Sequence, residues 1–235
     1  MVTRIGINGF GRIGRLTLRA IKKYHLNELE VVAINDLADT ETNAHLLKYD
    51  TSYGPYDGTV SAGQDSIIVD GNTVRAFSER EPAKIPWRDY GVDIVIESTG
   101  RFSDKDKAAQ HLEGGAKSVI ISTTSATADI TIVMGVNHHD YRPAQHKIIS
   151  NASCTTNCVT PMVKVILDKF GIEKALINTI HAYTNDQSLL DIYHKDLRRA
   201  RSAALNIIPT STGAAKAVAQ VIPELKGLIH GISLR

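Results

Sequence analysis

Short apolar runs alternate with amphipathic stretches along the first part of the chain, and this order predicts alternating strands and helices. The strands are predicted at residues 4–8, 31–36, 93–99, 118–122 and 131–136. Helices are predicted at residues 11–25, 39–49 and 104–115. Residues 65–78 predict a hairpin that turns at Asp70-Gly71. The predicted fold class is therefore α/β, with a mostly parallel sheet, helices on both faces, and ligands at the carboxyl ends of the strands.

The pattern changes after residue 150, where longer elements follow one another without the earlier alternation. The expected order is a helix with Ser153 near its cap, a strand, a long polar stretch, a second helix and a last strand, at residues 154–171, 175–183, 184–209, 212–225 and 227–235. We therefore expect two domains, 1–150 and 151–235.

Composition and charge narrow the class of protein. The 235 residues are 43% hydrophobic and 22% charged, and 27 basic against 25 acidic residues leave a net charge of +2. This balance favours neither nucleic acid nor a membrane as the main partner. The N-terminal sequence does not resemble a signal peptide, and two cysteines do not make a disulfide scaffold. A cytoplasmic location is therefore expected.

A glycine-rich turn follows the first predicted strand and opens the first predicted helix. Gly9, Gly11 and Gly14 form the G-x-G-x-x-G pattern, and Asp36 ends the second predicted strand. In this context the glycines allow a tight turn, close approach of a pyrophosphate and close helix packing, while the carboxylate binds ribose hydroxyls. The motif predicts a dinucleotide site that prefers NAD to NADP. The alternative is a plain glycine turn with Asp36 in solvent.

The two cysteines raise the question of catalysis. Cys154 is placed where a loop enters a predicted helix, whose free N–H groups stabilise a thiolate, and His181 follows at the end of a predicted strand. From spacing alone, a small buried cysteine and an unrelated histidine remain an open alternative. Cys158, one helical turn further on, is expected to pack behind the site.

Several hydroxyl-bearing residues and one arginine in the same part of the chain are candidates for anion binding. Thr212 and Gly213 begin a predicted helix, which is a suitable place for an anion, and Arg235 ends a predicted strand. The other candidates for anion binding are Ser153, Thr155 and Thr184. Simple helix capping is the alternative interpretation of the hydroxyls.

At these residues the sequence resembles the glyceraldehyde-3-phosphate dehydrogenase family. The motifs that carry the resemblance occur in the family's order and cover the whole chain: INGFGRIGR, LLKYDTSYG, SNASCTTNC, HAYTNDQ, DLRRAR and IIPTSTGAAKAV. Erythrose-4-phosphate dehydrogenase shares this scaffold and remains a close alternative. The resemblance implies a Rossmann-type NAD-binding domain followed by part of an α+β catalytic domain with a mixed sheet.

The resemblance also implies a reaction, partners and a role for each site. Cys154 would attack the aldehyde and form first a thiohemiacetal and then a thioester, with His181 as general base and NAD as oxidant. Thr184 and Arg235 would hold the phosphate of glyceraldehyde 3-phosphate, and inorganic phosphate would bind Ser153, Thr155, Thr212 and Gly213. Further cofactor contacts are implied for Arg12, Ile13, Ser98, Thr99, Gly100, Phe102 and Ser122. The resemblance implies a homotetramer, with residues 184–209 at a subunit contact.

Several departures limit these expectations. Chains of the family continue past the strand that ends at Arg235, so the 235-residue chain alone is expected to have weak or no dehydrogenase activity. The alternative from another class of function is a non-catalytic NAD-binding fragment.

No metal is expected, because His138, His139 and His146 lack accompanying carboxylate or cysteine ligands. The basic cluster LRRAR is expected to form an ion-pair network with neighbouring aspartates at the subunit contact.

Overall fold

The computed structural model describes residues 2–235, which form two compact units. The first unit contains the chain up to Thr131 together with Tyr141–Asn151. The second contains Ile132–Asp140 and Ala152–Arg235. The hydrophobic pattern gave no sign that Ile132–Asp140 leaves the first unit. The functional domain boundary near residue 150 stays a prediction.

A large sheet forms the centre of the first unit. Among residues 2–235, nine strands belong to it: β1 (Thr3–Asn8), β2 (Leu29–Asn35), β3 (Val60–Gly63), β4 (Ser66–Val69), β5 (Asn72–Phe77), β6 (Ile94–Glu97), β7 (Ser118–Ile121), β8 (Ile130–Thr131) and β9 (Ile148–Ser150). Their spatial order is β3-β4-β5-β2-β1-β6-β7-β9-β8. The pairs β3–β4 and β4–β5 are antiparallel, and the other pairs are parallel. The strand ends of β2, β1 and β6 therefore lie side by side.

Helices cover both faces of this sheet because apolar side chains line each of them. Helices α1 (Arg12–Tyr24) and α2 (Thr40–Lys48) contribute Leu18 and Leu47 to one core, which also contains Ile5 and Ile7 of β1. Helix α3 (Lys105–Glu113) belongs to the other core, which contains Trp87 and Val95. Burial of these side chains is the main stabilising contribution. The fold predicted from the alternating pattern is confirmed in this unit.

The second unit combines two helices with a small mixed sheet. Its elements are α4 (Cys154–Phe170), β10 (Ala175–Ile180), β11 (Pro209–Thr210), α5 (Ala214–Val221) and β12 (Ile229–Leu234). Strand β12 pairs in parallel with β10 and antiparallel with β11. Val163 of α4, Val218 of α5 and Ile177 of β10 share one core with Val133 and Val136. Between β10 and β11 the chain forms turns and bends, as its polar composition suggested.

The strand predicted at residues 131–136 is wrong beyond its first residue. Strand β8 ends at Thr131, and the following residues turn, with the N–H of Val136 donating to the carbonyl of Val133 and with Gly135 at φ +82°. Val133 and Val136 are apolar because they are buried in the core of the second unit. Because the buried residues of a turn are as apolar as those of a strand, the sequence pattern could not distinguish the two structures. The short strands β3, β9 and β11 were not predicted, while the other predicted elements differ from the structure mainly at their ends.

Candidate active site

Cys154 and His181 lie together at the start of α4 and the end of β10. Cys154 is the first residue of α4, and its Sγ lies 3.3 Å from His181 Nε2. His181 Nδ1 lies 2.6 Å from the carbonyl oxygen of Ala182, which can only accept a hydrogen bond. Nδ1 therefore carries the proton, and the lone pair of Nε2 faces the thiol. This tautomer is the one that a general base needs.

Local capping fixes the start of α4. Ser153 is the N-cap residue, and its Oγ accepts from the N–H of Thr156 at 3.0 Å. The side chain of Asn157 donates to the carbonyl of Ser153 at 2.9 Å. Ala152 precedes the cap with a positive φ of 57°, which turns the chain sharply into the helix. Cys154 is thus presented, exposed, at the positive end of the helix dipole.

A cavity of about 420 Å³ opens beside the thiol. Cys154, Thr155 and His181 line it together with Cys158 and residues of β10. Both cysteines are free and exposed, so Cys158 borders the cavity instead of packing behind it as expected. This volume lies within the range of about 300–1,000 Å³ that is usual for small-molecule sites.

Two of the predicted anion ligands meet at the end of β12. Arg235 Nη1 donates to Thr184 Oγ1 at 2.8 Å, and the backbone of Arg235 pairs with that of Ile208 in both directions. The guanidinium and the hydroxyl therefore form a paired cation and donor, which is suited to a phosphate.

The other predicted anion ligands occupy two helix starts. Ser153 and Thr155 lie at the beginning of α4, and Gly213 is the N-cap of α5. Thr212 Oγ1 accepts from the N–H of Ala214 at 3.2 Å, so this hydroxyl partly caps α5. The N-terminus of each helix therefore has hydroxyl groups beside its free N–H groups, which suits an anion. Both helices pack against the same core.

The basic cluster forms ion pairs within the chain. Arg198 pairs with Asp196 at 3.1 Å, and Arg201 pairs with Asp191 at 2.9 Å. Arg199 is mostly buried, pairs with Asp186, and donates from Nε to Thr210 Oγ1 at 2.8 Å. Arg199 was expected only as part of the ion-pair network, with no contact to the anion ligands. Spacing could not single it out from the neighbouring arginines, because only the fold brings it to β11.

The glycine turn of the first unit has the geometry that its sequence predicted. Gly9 has φ +88°, and a Cβ there would lie 2.7 Å from the backbone nitrogen of Thr99. A Cβ at Gly14 would lie 2.3 Å from the carbonyl oxygen of Gly9, so this glycine permits the close packing of α1 on the turn. A Cβ at Gly11 meets no atom within 4 Å. Open space at Gly11 fits close approach of a ligand to the backbone.

Charged side chains hold the turn and the start of α1. Asp36 Oδ2 accepts from the N–H of Phe10 at 2.7 Å, so the predicted ribose ligand also anchors the turn. Arg12 Nη1 lies 2.8 Å from Asp50 Oδ2. Hydrogen bonds from the backbone of Tyr53 and from Arg12 lower the pKa of Asp50, outweighing the opposite effect of desolvation. Ile13 is half exposed in the first turn of α1.

The remaining predicted cofactor residues follow the carboxyl ends of β6 and β7. Ser98 Oγ donates to the carbonyl of Gly9 at 2.7 Å, and Thr99 bonds back to Glu97. Gly100 has a positive φ of 73°, and Phe102 lies in edge contact with the ring of His111. The N–H of Ser122 donates to the backbone carbonyl of Glu97. The structure therefore brings Ser98 and Thr99 against the glycine turn.

These observations fit NAD in the first unit. Gly11 is the N-cap of α1 and offers no side-chain acceptor to the N–H groups of the first turn, as an anion-binding helix start requires. The open space at Gly11 and the carboxylate at the end of β2 complete the donor and acceptor set of a dinucleotide site.

Two protein-family models match the chain. The NAD binding domain of glyceraldehyde 3-phosphate dehydrogenase matches residues 3–105, and the C-terminal domain of the same enzyme matches residues 153–235. The chain belongs to the glyceraldehyde 3-phosphate dehydrogenase family. This match confirms the fold class, with a Rossmann-type NAD-binding domain followed by part of a catalytic domain, and it confirms NAD as the cofactor.

Relatives named glyceraldehyde-3-phosphate dehydrogenase align along the chain. It is 58% identical over 234 residues to glyceraldehyde-3-phosphate dehydrogenase 1 of Bacillus cereus. It is 60% identical over 235 residues to the enzyme of Streptomyces coelicolor, and 55% identical over 235 residues to that of Geobacillus stearothermophilus. Each alignment covers 100% of this chain and 70% of the relative. The chain thus spans about 70% of the length of these dehydrogenases.

Neither a membrane span nor a metal cluster accompanies these features in the part of the chain that the structure describes. In that part, no helix is both long and apolar enough to cross a membrane. Within residues 2–235, no three side chains of histidine, cysteine, aspartate or glutamate come together as a metal site.

Proposed function

We propose that the chain carries the chemistry of NAD-dependent oxidative phosphorylation, which converts glyceraldehyde 3-phosphate and inorganic phosphate to 1,3-bisphosphoglycerate in glycolysis. The observation that carries this proposal is the pair of Cys154 and His181, with 3.3 Å between Sγ and Nε2 and a cavity beside them. A plain nucleotide-binding module has no need of such a pair.

The two residues can perform the covalent steps between them. Nε2 of His181 takes the thiol proton while Sγ of Cys154 bonds to the aldehyde carbon, which gives a thiohemiacetal. His181 passes this proton to the former carbonyl oxygen as the thiohemiacetal forms. Oxidation removes a hydride from the carbon, to be accepted by NAD, while Nε2 of His181 takes the hydroxyl proton, and a thioester is left on Cys154. Attack by a phosphate oxygen then breaks the carbon–sulfur bond, which releases the acyl phosphate and restores the thiol.

Two groups of anion ligands are proposed for the two phosphates. Thr184 and Arg235 would hold the phosphate of the substrate, since their side chains already lie in hydrogen-bond contact. Ser153, Thr155, Thr212 and Gly213 would hold the attacking phosphate. The helix dipoles of α4 and α5 would help to stabilise its charge.

The first unit would hold NAD through the turn and the strand ends. Gly11 and the start of α1 would face the pyrophosphate, Asp36 would accept hydrogen bonds from ribose hydroxyls, and Ser98, Thr99 and Gly100 would line the site. Arg12, Ile13, Phe102 and Ser122 complete the proposed set. NAD supplies the hydride acceptor for the oxidation.

Thiol reactivity tests the activated nucleophile directly. We expect Cys154 to react with iodoacetamide at neutral pH faster than free cysteine, because His181 and the helix N-terminus stabilise a thiolate. Cys158→Ser is the matched control and should keep the fast reaction, whereas Cys154→Ser should abolish it and His181→Asn should slow it. Peptide mapping by mass spectrometry identifies the modified residue. A rate equal to that of free cysteine would favour the non-catalytic NAD-binding alternative.

A direct spectrophotometric assay distinguishes the two candidate substrates. NADH formation is followed with glyceraldehyde 3-phosphate or erythrose 4-phosphate, each with NAD and with or without inorganic phosphate. Phosphate-dependent turnover of glyceraldehyde 3-phosphate would support the proposal, even at a low rate. Preference for erythrose 4-phosphate would replace it by the alternative activity.

We also infer self-association and a cytoplasmic location. The segment 184–209 exposes several large apolar side chains, among them Leu189, Tyr193, Leu205 and Ile207, and such a surface favours contact with a further copy. Light scattering during gel filtration measures the oligomer, for which a homotetramer is proposed.

The proposed cytoplasmic location fits the cysteines. Two free, exposed cysteines are suited to a reducing compartment.

A further inference from the structure

A row of buried polar side chains crosses the sheet of the first unit directly beneath the glycine turn. Asn35, Asn8 and Glu97 are the last residues of β2, β1 and β6, and they stand in register on the three adjacent strands. Their exposed fractions are 4%, 1% and 1%. Burial of this much polarity at one level of a sheet is unfavourable unless every group is hydrogen-bonded.

Each member of the row is bonded to the next. Asn35 Nδ2 donates to Asn8 Oδ1 at 2.8 Å, and Asn8 Nδ2 donates to Glu97 Oε2 at 2.6 Å. At the other end of the row, Asn35 Oδ1 accepts from the N–H of Glu79 at 2.7 Å. The row therefore runs in one direction, from the amide of Asn35 to the carboxylate of Glu97.

A histidine with a fixed tautomer supports the same carboxylate. The indole Nε1 of Trp87 donates to His111 Nδ1 at 3.0 Å, and an indole N–H can only donate. His111 Nδ1 is therefore the acceptor, and its Nε2 carries the proton that faces Glu97 Oε2 at 3.0 Å. Glu97 thus accepts from neutral donors, and no lysine or arginine is among its hydrogen-bond partners within residues 2–235.

The second carboxylate oxygen holds the loop that follows β6. Glu97 Oε1 accepts from the N–H of Thr99 at 2.8 Å and also from its hydroxyl. The peptide of Ser98 and Thr99 lies so close to Gly9 that a Cβ on that glycine would meet it at 2.7 Å. The orientation of this carboxylate therefore fixes the contact between loop 98–100 and the glycine turn.

We propose that Glu97, held by Asn8 and His111, is a positioning residue for NAD, which sets the loop 98–100 against the glycine turn without touching the cofactor itself. This inference rests on the proposed NAD site and adds to it a network that neither the glycine motif nor its spacing reveals. The carboxylate can act in this way because its two oxygens face different groups. One oxygen meets the sheet and α3, and the other meets the loop.

The variant Glu97→Gln tests the proposal because it places a donor where only an acceptor fits. In one amide orientation, the new NH₂ group faces the N–H groups of Asn8 and His111, and in the other it faces the donors of Thr99. In the first orientation the side chain at position 97 must shift away from these donors and draw the loop with it, and in the second the loop loses its acceptor. We expect the dissociation constant for NAD to rise about tenfold or more. Glu30→Gln is the matched control, since Glu30 pairs with Arg4 at the opposite end of β2 on the surface.

The double variant Asn8→Asp with Glu97→Gln supplies the rescue. The carboxylate introduced by Asn8→Asp would accept from Asn35 and from the amide introduced by Glu97→Gln. His111 Nε2, 3.4 Å from the present Asn8 Nδ2, could donate to the same carboxylate. The donors and acceptors are thereby exchanged at constant total charge. We expect the double variant to bind NAD within about threefold of the wild type, which is a strong coupling in a double-mutant cycle.

Calorimetric titration with NAD gives the affinity, and the fluorescence of Trp87, the sole tryptophan, reports the network itself. Weak binding by Glu97→Gln with recovery in the double variant, and a matching change and recovery of the Trp87 emission, supports the proposal. Wild-type affinity in Glu97→Gln, or a double variant that fails to fold or to bind, overturns it. Absence of NAD binding by the wild type would overturn the proposed function as well.

Discussion

Replacement of Gly11 by alanine should separate cofactor binding from stability. Gly11 is the N-cap of α1, with φ −70° and ψ −160°, a conformation that alanine adopts without strain. A Cβ added there meets no protein atom within 4 Å. The methyl group therefore occupies only the space into which a pyrophosphate is proposed to fit.

The expected change in stability is close to zero because two opposite effects nearly cancel. Alanine is a poorer N-cap than glycine by about 0.5–1 kcal/mol. Removal of a glycine reduces the conformational entropy of the unfolded chain, which stabilises the fold by about 0.4–1 kcal/mol. For a chain of this size the midpoint of thermal unfolding should thus change by about 2 °C or less.

The expected change in NAD affinity is much larger. A methyl group between the backbone and the pyrophosphate lengthens the hydrogen bonds from the start of α1, and the loss of one of them raises the dissociation constant about tenfold. Isothermal titration calorimetry measures this constant, and scanning calorimetry of the same samples measures the midpoint of unfolding.

Gly14→Ala provides the contrasting control. Its Cβ would lie 2.3 Å from the carbonyl oxygen of Gly9 and 3.0 Å from Ile7 Cγ2, and backbone cannot yield as a flexible side chain does. We expect the free energy of unfolding to fall by about 1–3 kcal/mol. Wild-type NAD affinity in Gly11→Ala would refute the assignment of this glycine to the pyrophosphate. A stable Gly14→Ala would refute the packing argument.

Two further predictions concern stability in other parts of the chain. Hydrogen bonds from the Arg4 backbone and from Lys117 lower the pKa of Asp93 below its ordinary value of 3.8, so its stabilising effect is complete above about pH 5 and is lost as the pH falls through 3.8 and below. Asp93→Asn should lose less stability than the wild type between pH 7 and about pH 3, as measured by urea unfolding; equal losses would contradict this. Ser153→Ala removes the cap of α4 and should reduce the free energy of unfolding by about 1 kcal/mol. Ser153→Asp should retain most of the wild-type stability, and thermal unfolding of both variants measures the difference.

The sequence was a good guide wherever local chemistry determines local structure. The glycine turn, the helix that follows it and the hairpin at Asp70-Gly71 are all in place, because backbone conformation at those residues depends on the residues themselves. Ser153 is the N-cap of α4 for the same reason. Cys154, the proposed nucleophile, could therefore be placed at a helix start from the sequence alone.

The sequence was a poor guide wherever distant segments decide the structure. Val133 and Val136 belong to a short apolar run of the kind that predicts a buried strand, yet they lie in a turn because the core of the second unit buries them. Strand β9 has three residues and exists through its pairing with β7 and β8. The contact of Arg199 with Thr210 likewise depends on the path of the chain between β10 and β11, which carries no periodic signal.

The buried row beneath the glycine turn explains why the motif alone is a weak predictor of a dinucleotide site. Three glycines permit the turn, but they do not hold it against a second loop. In this chain that second constraint comes from Glu97, whose two oxygens bond Asn8 on one side and Thr99 on the other. These residues are separated by up to 91 positions in sequence and belong to adjacent strand ends. A polar residue that ends a predicted buried strand is therefore a useful signal, because burial forces it to bond to its neighbours across the sheet, where the ligand-binding loops begin.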